Sequence, residues 1–371
     1  MPEVADVFRR YGGEDLEWFG QGLLPSHRRA MNDIMNCRTE ALGGHLLPCD
    51  HCGQEPDAYH SCRHRSGPTC HHQDTEAWLA ERRQELLPVP YFHVVFTVPY
   101  ELGEVVRRHQ QDLYDILIRA AAQALIKLAA DPHYVGGLIG VWCVLHTWTR
   151  TLAYHPHVHC VVPAGGVAAD RAEWRPARPS SLVPVHALAK LFRGLFRVLV
   201  RQERPDLLMP ESVWTTGWVV YGKPAVQGPE QILNYLGRYV HRGALTNPRL
   251  LSIEDNQVCC RYQDSQDRRW KTMTLPAQEF IRRFLPHVWP QGFHNVRYYG
   301  LWRPVHRPLL HHLQLCLARH AAAPPPSTPD PAPQATDAWC PPIRAGQPCP
   351  SCGQGLLVVM RSIPRLQRGP P

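Results

Sequence analysis

The chain has no run of apolar residues approaching the eighteen that a membrane-spanning helix needs, which argues against an integral membrane protein. Its opening stretch, MPEVADVFRRYGGEDLEWF, carries acids and lacks the apolar core of a secretory signal. No complete GxxxxGK[ST] loop occurs, so there is no phosphate cradle of the helicase kind. Acidic residues are in deficit. Asp and Glu number 32 against 40 Lys and Arg, a formal charge of +8, and 22 histidines add positive charge wherever they are protonated. That balance favours a polyanionic partner. The 13 cysteines are odd in number and cannot all pair. In the reducing cytoplasm that these features imply, clustered cysteines read as metal ligands before disulfides.

What is present is strongly punctuated, and 371 residues suggest two or three domains. The first forty residues look helical and amphipathic. A cysteine cluster follows, CDHCGQEPDAYHSCRHRSGPTCHH, from Cys49 to His72. Cys49 and Cys52 form a CxxCG knuckle, in which the glycine lets the backbone turn tightly around a metal, and Cys62 with Cys70 offers the other half of a tetrahedral zinc site. His64, His71, His72, Cys37 and His45 stand as further candidate ligands.

Downstream, a charged helix over Ala77 to Pro88 leads into a strand, Tyr91 to Val98. A long helix over Glu104 to Ala130 comes next, then strands over Leu138 to Trp148 and through His155 to Val162. A helix over His186 to Arg201, a strand over Val213 to Val220 and a helix from Pro229 to near Gly243 complete the series. Strand, helix, strand, strand, helix, strand is the order of the ferredoxin-like split motif, so the expected class is α+β. Three short strands beyond it, Leu250 to Ile253, Val258 to Tyr262 and Trp270 to Leu275, read as an antiparallel meander. From Ala321 to Pro350 proline and alanine dominate, the composition of a flexible, disordered linker. CPSCG, Cys349 to Gly353, stands beyond it as an isolated knuckle, with Cys340 nearby.

Two patterns carry chemistry. In HPHVH, His157 and His159 are two apart on a strand and project from one face, about 6 to 7 Å from each other, which suits a divalent ion if a third ligand arrives from elsewhere. The same pair also fits ordinary histidines on a strand. In YLGRY, Tyr235 and Tyr239 stand at i and i+4, on one helix face, where core packing is the alternative.

Together YFHVVFTVP (Tyr91 to Pro99), HPHVHCVVPAGG (His155 to Gly166), WVVYGKP (Trp218 to Pro224), YLGRYVHR (Tyr235 to Arg242) and RWKTMTL (Arg269 to Leu275) resemble the transposases of rolling-circle insertion sequences of the IS ninety-one type. These belong to the HUH endonuclease superfamily, and the resemblance runs from about Cys37 to about Gly300. Taken with the composition of the two ends, it gives the expected domains: a helical segment and zinc-binding module over 1–88, an HUH catalytic domain over 89–300, and a basic, Pro-rich flexible tail over 301–371. It also implies that Tyr235 and Tyr239 are nucleophiles that form 5′ phosphotyrosine links. His157 and His159 would hold Mg²⁺ or Mn²⁺, with His241, Asn234, Glu230 and His155 as candidates for the third ligand. Lys223, Arg238 and Arg242 would contact DNA, expected as single strands or hairpin element ends in the nucleoid. The family closes its zinc site with a second CxxC, whose first cysteine is replaced here by Gly67. A replication initiator or relaxase using the same chemistry remains an alternative, as does a zinc-dependent DNA-binding protein that has lost catalysis.

Overall fold

A computed structural model describes residues 2–19, 23–68, 70, 72–168, 173–224, 243–264, 266–320 and 343–366. In chain order they form α1 (Val4–Phe19), α2 (Pro25–Met35), β1 (Gly44–Leu46), β2 (Asp57–Tyr59), α3 (His72–Arg83), β3 (Tyr91–Thr97), α4 (Gly103–Arg108) and α5 (Gln110–Ala129). Next come β4 (Gly140–Trp148), β5 (Tyr154–Pro163), β6 (Gly165–Val167), β7 (Trp174–Pro176), α6 (Val185–Glu203), α7 (Ser212–Thr215) and β8 (Val219–Pro224). The remainder are β9 (Leu250–Glu254), β10 (Gln257–Gln263), β11 (Trp270–Pro276), α8 (Ala277–Phe284), β12 (Val296–Gly300), α9 (Arg307–His320) and β13 (Arg361–Ile363). The described residues divide into two compact units, one drawn from 73–241 and 289–329, the other from 1–72, 242–288 and 330–371.

The first unit is built on a five-stranded sheet in the order β12-β4-β5-β3-β8, with every neighbouring pair antiparallel. The chain runs β3, α5, β4, β5, α6, β8, so the strand-helix-strand-strand-helix-strand order expected from sequence is realised, with β12 added outside β4. Alternation explains β3: Phe92, Val94 and Phe96 enter the core beneath α5 and α6, while His93, Val95 and Thr97 point to the other face. On α6, Leu188, Phe192, Phe196 and Leu199 form the buried stripe, spaced by three or four residues as a helix requires. Each such fully buried Leu or Phe contributes about 1.5–3 kcal/mol by leaving water.

The opposite face of the sheet carries a second cluster in which Tyr91, Trp142, Val144 and Val161 meet Trp302, Leu310 and Leu313. Gly140 is required there, because a Cβ would sit 2.7 Å from the Trp302 ring. The strand expected over Val213 to Val220 begins later, at Val219. Burial outweighs β propensity at Val213 and Trp218: Val213 lies in the short helix α7, and its carbonyl accepts a hydrogen bond from Trp218 Nε1–H at 2.8 Å. The Trp218 ring packs 5.1 Å from Phe192 and 5.2 Å from Phe196.

In the second unit, β9, β10 and β11 form the expected meander. Its first turn, Asp255-Asn256, has both residues at positive φ, the two-residue hairpin geometry that these short polar side chains tolerate. Phe284 of α8 meets Phe8 of α1 edge to face at 5.4 Å. A separate sheet in the order β13-β1-β2 joins the far ends of the sequence.

The stretch 301–371, grouped by composition as one tail, is therefore structured in both of its described parts. Residues 307–320 are helix α9, with Leu310 and Leu313 buried, and 343–366 supply β13 to the second unit. Composition concealed this because the proline and alanine of 321–342 dominate the average of the whole stretch; those residues lie outside the described ones. The meander, expected inside the 89–300 domain, belongs to the same unit as the cysteine module.

Candidate metal centres

The first centre lies where two central strands meet. In the antiparallel register His146 of β4 stands opposite His157 of β5, and Val144 opposite His159, so all three imidazoles share one face. Their ligand nitrogens lie within 4.8 Å of one another. The ring centroids are 4.3 Å apart for His146 and His159, 4.8 Å for His157 and His159, and 5.4 Å for His146 and His157. Pro156 sits where the ladder slips between His146 and Trp148. A proline cannot donate to a ladder, so a central strand accepts it at such an irregularity.

The hydrogen bonds prepare these rings as donors of lone pairs. His157 Nδ1–H donates to the carbonyl oxygen of His155 at 2.6 Å, which fixes the proton on Nδ1 and leaves Nε2 as the basic nitrogen. His159 Nδ1 lies 2.8 Å from Nε2 of His93 on β3, with the two rings nearly parallel. Burial holds the group neutral. It pushes His157 down to about 4, and it depresses His146 and His159 well below the ordinary histidine range, with the neighbouring imidazoles adding to the effect. His93 falls to about 4 through burial and then the positive charge of Lys223. Three neutral imidazoles, His146 and His159 buried and His157 half-buried, with directed lone pairs fit a divalent ion.

His157 and His159 come together as their spacing predicts. The sequence reading missed His146, whose signal is faint: a histidine inside GVWCVLHTW, on the strand that precedes HPHVH and pairs with it. Of the third-ligand candidates named from sequence, His155 has its ring 5.4 Å from that of His157 but does not join the triad. Glu230, Asn234 and His241 lie outside the described residues, as do Tyr235, Arg238, Tyr239 and Arg242. Lys223 is exposed on β8, opposite His93, with its ammonium 5.5 Å from the Tyr221 ring centroid.

The cysteines separate into two groups, where sequence spacing had joined Cys49, Cys52, Cys62 and Cys70 in one site. Cys62 and Cys70 meet Cys37, with Cys37 Sγ 3.2 Å and Cys62 Sγ 3.6 Å from Cys70 Sγ. Cys49 and Cys52 meet Cys349 and Cys352. The physical reason is the return of the chain along β1, which delivers the C-terminal knuckle to the N-terminal one. His45 joins neither group among the described residues; its ring packs edge-on to His60, with Nδ1 3.4 Å from Ser362 Oγ. A Cβ at Gly67 would lie 3.6 Å from Cys62 Sγ, so the departure noted at that position falls beside the three-thiol group. The Cys62 thiol is pushed up by the neighbouring Cys37 and Cys70 sulfurs and by burial, a crowding that a bound cation relieves.

The family described as "Transposase zinc-binding domain" matches residues 7–98, and the family described as "Putative transposase" matches residues 140–308. The chain is 44% identical over 324 residues to the "Putative transposase y4qJ" of Sinorhizobium fredii (strain NBRC 101917 / NGR234), covering 81% of this chain and 80% of that one. It is 26% identical over 299 residues to the "Transposase for insertion sequence element IS801" of Pseudomonas savastanoi pv. phaseolicola, covering 75% and 71%. No solved structure matches.

Proposed function

Because the chain belongs to the insertion-sequence transposases of the IS ninety-one type, we propose that it moves DNA by metal-dependent nicking and rejoining of single strands, with tyrosines as nucleophiles. The observation that carries this reading is the neutral triad of His146, His157 and His159 on one sheet face. The β3-α5-β4-β5-α6-β8 path and its antiparallel order support a ferredoxin-like HUH sheet beneath that triad. When bound, Mg²⁺ or Mn²⁺ supplies Lewis acidity toward the scissile phosphate.

The rest is the work of the chain. His157 and His146 present ring nitrogens from paired strands, and His93 orients His159 by accepting a hydrogen bond from its Nδ1–H in the tautomer that leaves Nε2 free. Tyr235 or Tyr239 attacks phosphorus in line. As the phenol oxygen bonds to phosphorus the phosphorus–O3′ bond breaks; the phenol proton is lost to water and O3′ takes one up, so the upstream fragment leaves with a free 3′ hydroxyl while the downstream fragment stays on the tyrosine through its 5′ phosphate. The other tyrosine, four residues away in sequence, serves a second strand. Lys223, Arg238 and Arg242 hold backbone phosphates, and the zinc module grips the element end.

Incubating the purified chain with a single-stranded oligonucleotide from an element end and Mn²⁺, then mapping any detergent-stable adduct by mass spectrometry, tests this directly. The expected adduct lies on Tyr235 or Tyr239 and disappears in the Tyr235→Phe, Tyr239→Phe double variant. Nicking by that double variant at the normal rate removes the mechanism.

A further inference from the structure

We infer that Cys49, Cys52, Cys349 and Cys352 hold one structural zinc ion that fastens the C-terminal segment, residues 343–366, into the N-terminal module. The zinc-binding match ends at residue 98 and the transposase match at residue 308, so neither reaches the second knuckle. The inference is independent of the nicking chemistry.

Three sets of observations carry it. The first is the donor set. The four Sγ atoms lie within 4.8 Å of one another, with Cys49 to Cys352 and Cys52 to Cys349 both at 3.7 Å. Thiolates about 2.3 Å from a tetrahedral zinc stand about 3.8 Å apart, close to these separations, whereas a disulfide needs about 2.05 Å.

The second is the matching backbone of the two knuckles. In each, the glycine after the second cysteine is left-handed, Gly53 at φ +68° and Gly353 at φ +67°. Its N–H returns to the carbonyl of the first cysteine, at 3.1 Å in one and 2.8 Å in the other. Backbone N–H groups also point at the sulfurs: Cys52 N to Cys49 Sγ and Gly355 N to Cys352 Sγ, both 3.5 Å. Donors aimed at sulfur favour the thiolate, the form that binds metal.

The third is the close docking of the segment. Residues Gly44 to Leu46 pair with Arg361 to Ile363, Asp50 N–H donates to Leu356 O at 3.1 Å, and Leu356 N–H donates to Asp50 Oδ1 at 2.8 Å. Leu47 and Leu357 close over Cys49 and Cys349 as a small core. At Gly355 a Cβ would sit 2.5 Å from Cys49 Sγ, so only glycine allows the segment this near. The module is thus complete only when residue 352 has been synthesised.

Elemental analysis of the full-length chain tests the shared site by non-additivity. The Cys349→Ser, Cys352→Ser variant is expected to lose one zinc per chain, as is Cys49→Ser, Cys52→Ser, and the fourfold variant is expected to lose no more than one. Gly355→Val, which alters no ligand, is expected to lower occupancy of the same ion. A second measurement keeps all ligands and does not depend on how the variants fold. With a protease site inserted between residues 321 and 342, the cleaved C-terminal fragment should co-elute with the remainder and separate when a chelator removes zinc. Wild-type zinc content after loss of Cys349 and Cys352, or a fragment that stays attached once its zinc is gone, overturns the inference.

Discussion

The histidine triad and the cysteine tetrad solve opposite problems. The triad is assembled locally: β4 and β5 are neighbours in sequence and in the sheet, the strands hold the rings, and the scaffold owes its stability to the core under α5 and α6. The tetrad is assembled across almost the whole chain, from residues 49 to 352, on strands of only three residues with a core of a few side chains. Three protein ligands leave coordination positions for a substrate, whereas four thiolates close the shell. On the readings proposed above, a centre that does chemistry would sit on a fold that stands without it, and a centre that builds a fold would supply the stability its short strands lack.

The comparison predicts two different kinds of damage. His157→Ala with His159→Ala should abolish nicking, a loss of about a thousandfold or more, since Lewis-acid assistance is worth several kcal/mol and each 1.36 kcal/mol is a factor of ten. The melting temperature of the sheet unit and gel-shift affinity for DNA should change little. The cysteine variants above should do the reverse, lowering zinc content and the stability of their own unit. Nicking, calorimetry and binding measured on the same preparations check the pair. A histidine variant that nicks normally, or one that unfolds as the cysteine variants do, would erase the distinction.

The same contrast explains what could be read without coordinates. HPHVH was legible because a strand has period two, so spacing fixes the face. The order of strands and helices over 91–224 was largely legible because most of these elements carry their own apolar pattern. His146 was not, because a single histidine in an apolar strand says nothing until register places it opposite His157. Cys349 and Cys352 were visible as a knuckle but not as partners of Cys49 and Cys52. Sequence spacing favoured Cys62 and Cys70, and the pairing of β13 with β1 is a contact of such long range that no local pattern encodes it. Val213 misled because a β-branched residue beside tryptophan resembles strand, while its burial with Trp218 is a tertiary effect.

A smaller effect is expected one layer away from the triad. His93 hydrogen-bonds to His159 and is not among the three grouped imidazoles, so His93→Phe removes the hydrogen bond at 2.8 Å while keeping a ring of similar shape. Losing an orienting partner of a metal-binding histidine typically weakens the metal by about 10- to 100-fold. The Mn²⁺ concentration for half-maximal nicking should rise accordingly, and saturating Mn²⁺ should recover most of the rate. A variant whose rate falls without any change in metal requirement would assign His93 a packing role instead.

The smallest effect belongs to Lys223, and its sign of success is a slope more than a size. Lys223 is exposed at the sheet edge, its ammonium over Tyr221 and its strand position opposite His93. A solvated lysine that meets one phosphate of a single strand releases about 0.7 of a counterion, so log affinity loses about 0.7 from its dependence on log salt when that contact goes. Lys223→Met, which keeps the chain length and apolar stem, should therefore weaken binding a few-fold at low salt and hardly at all at high salt. The loss should be similar for different sequences, because a phosphate contact positions DNA without reading bases. Fluorescence anisotropy over a salt series, with two unrelated oligonucleotides, measures both quantities. An unchanged slope would make Lys223 an ordinary surface charge, and a loss confined to one oligonucleotide would point to contact with a base.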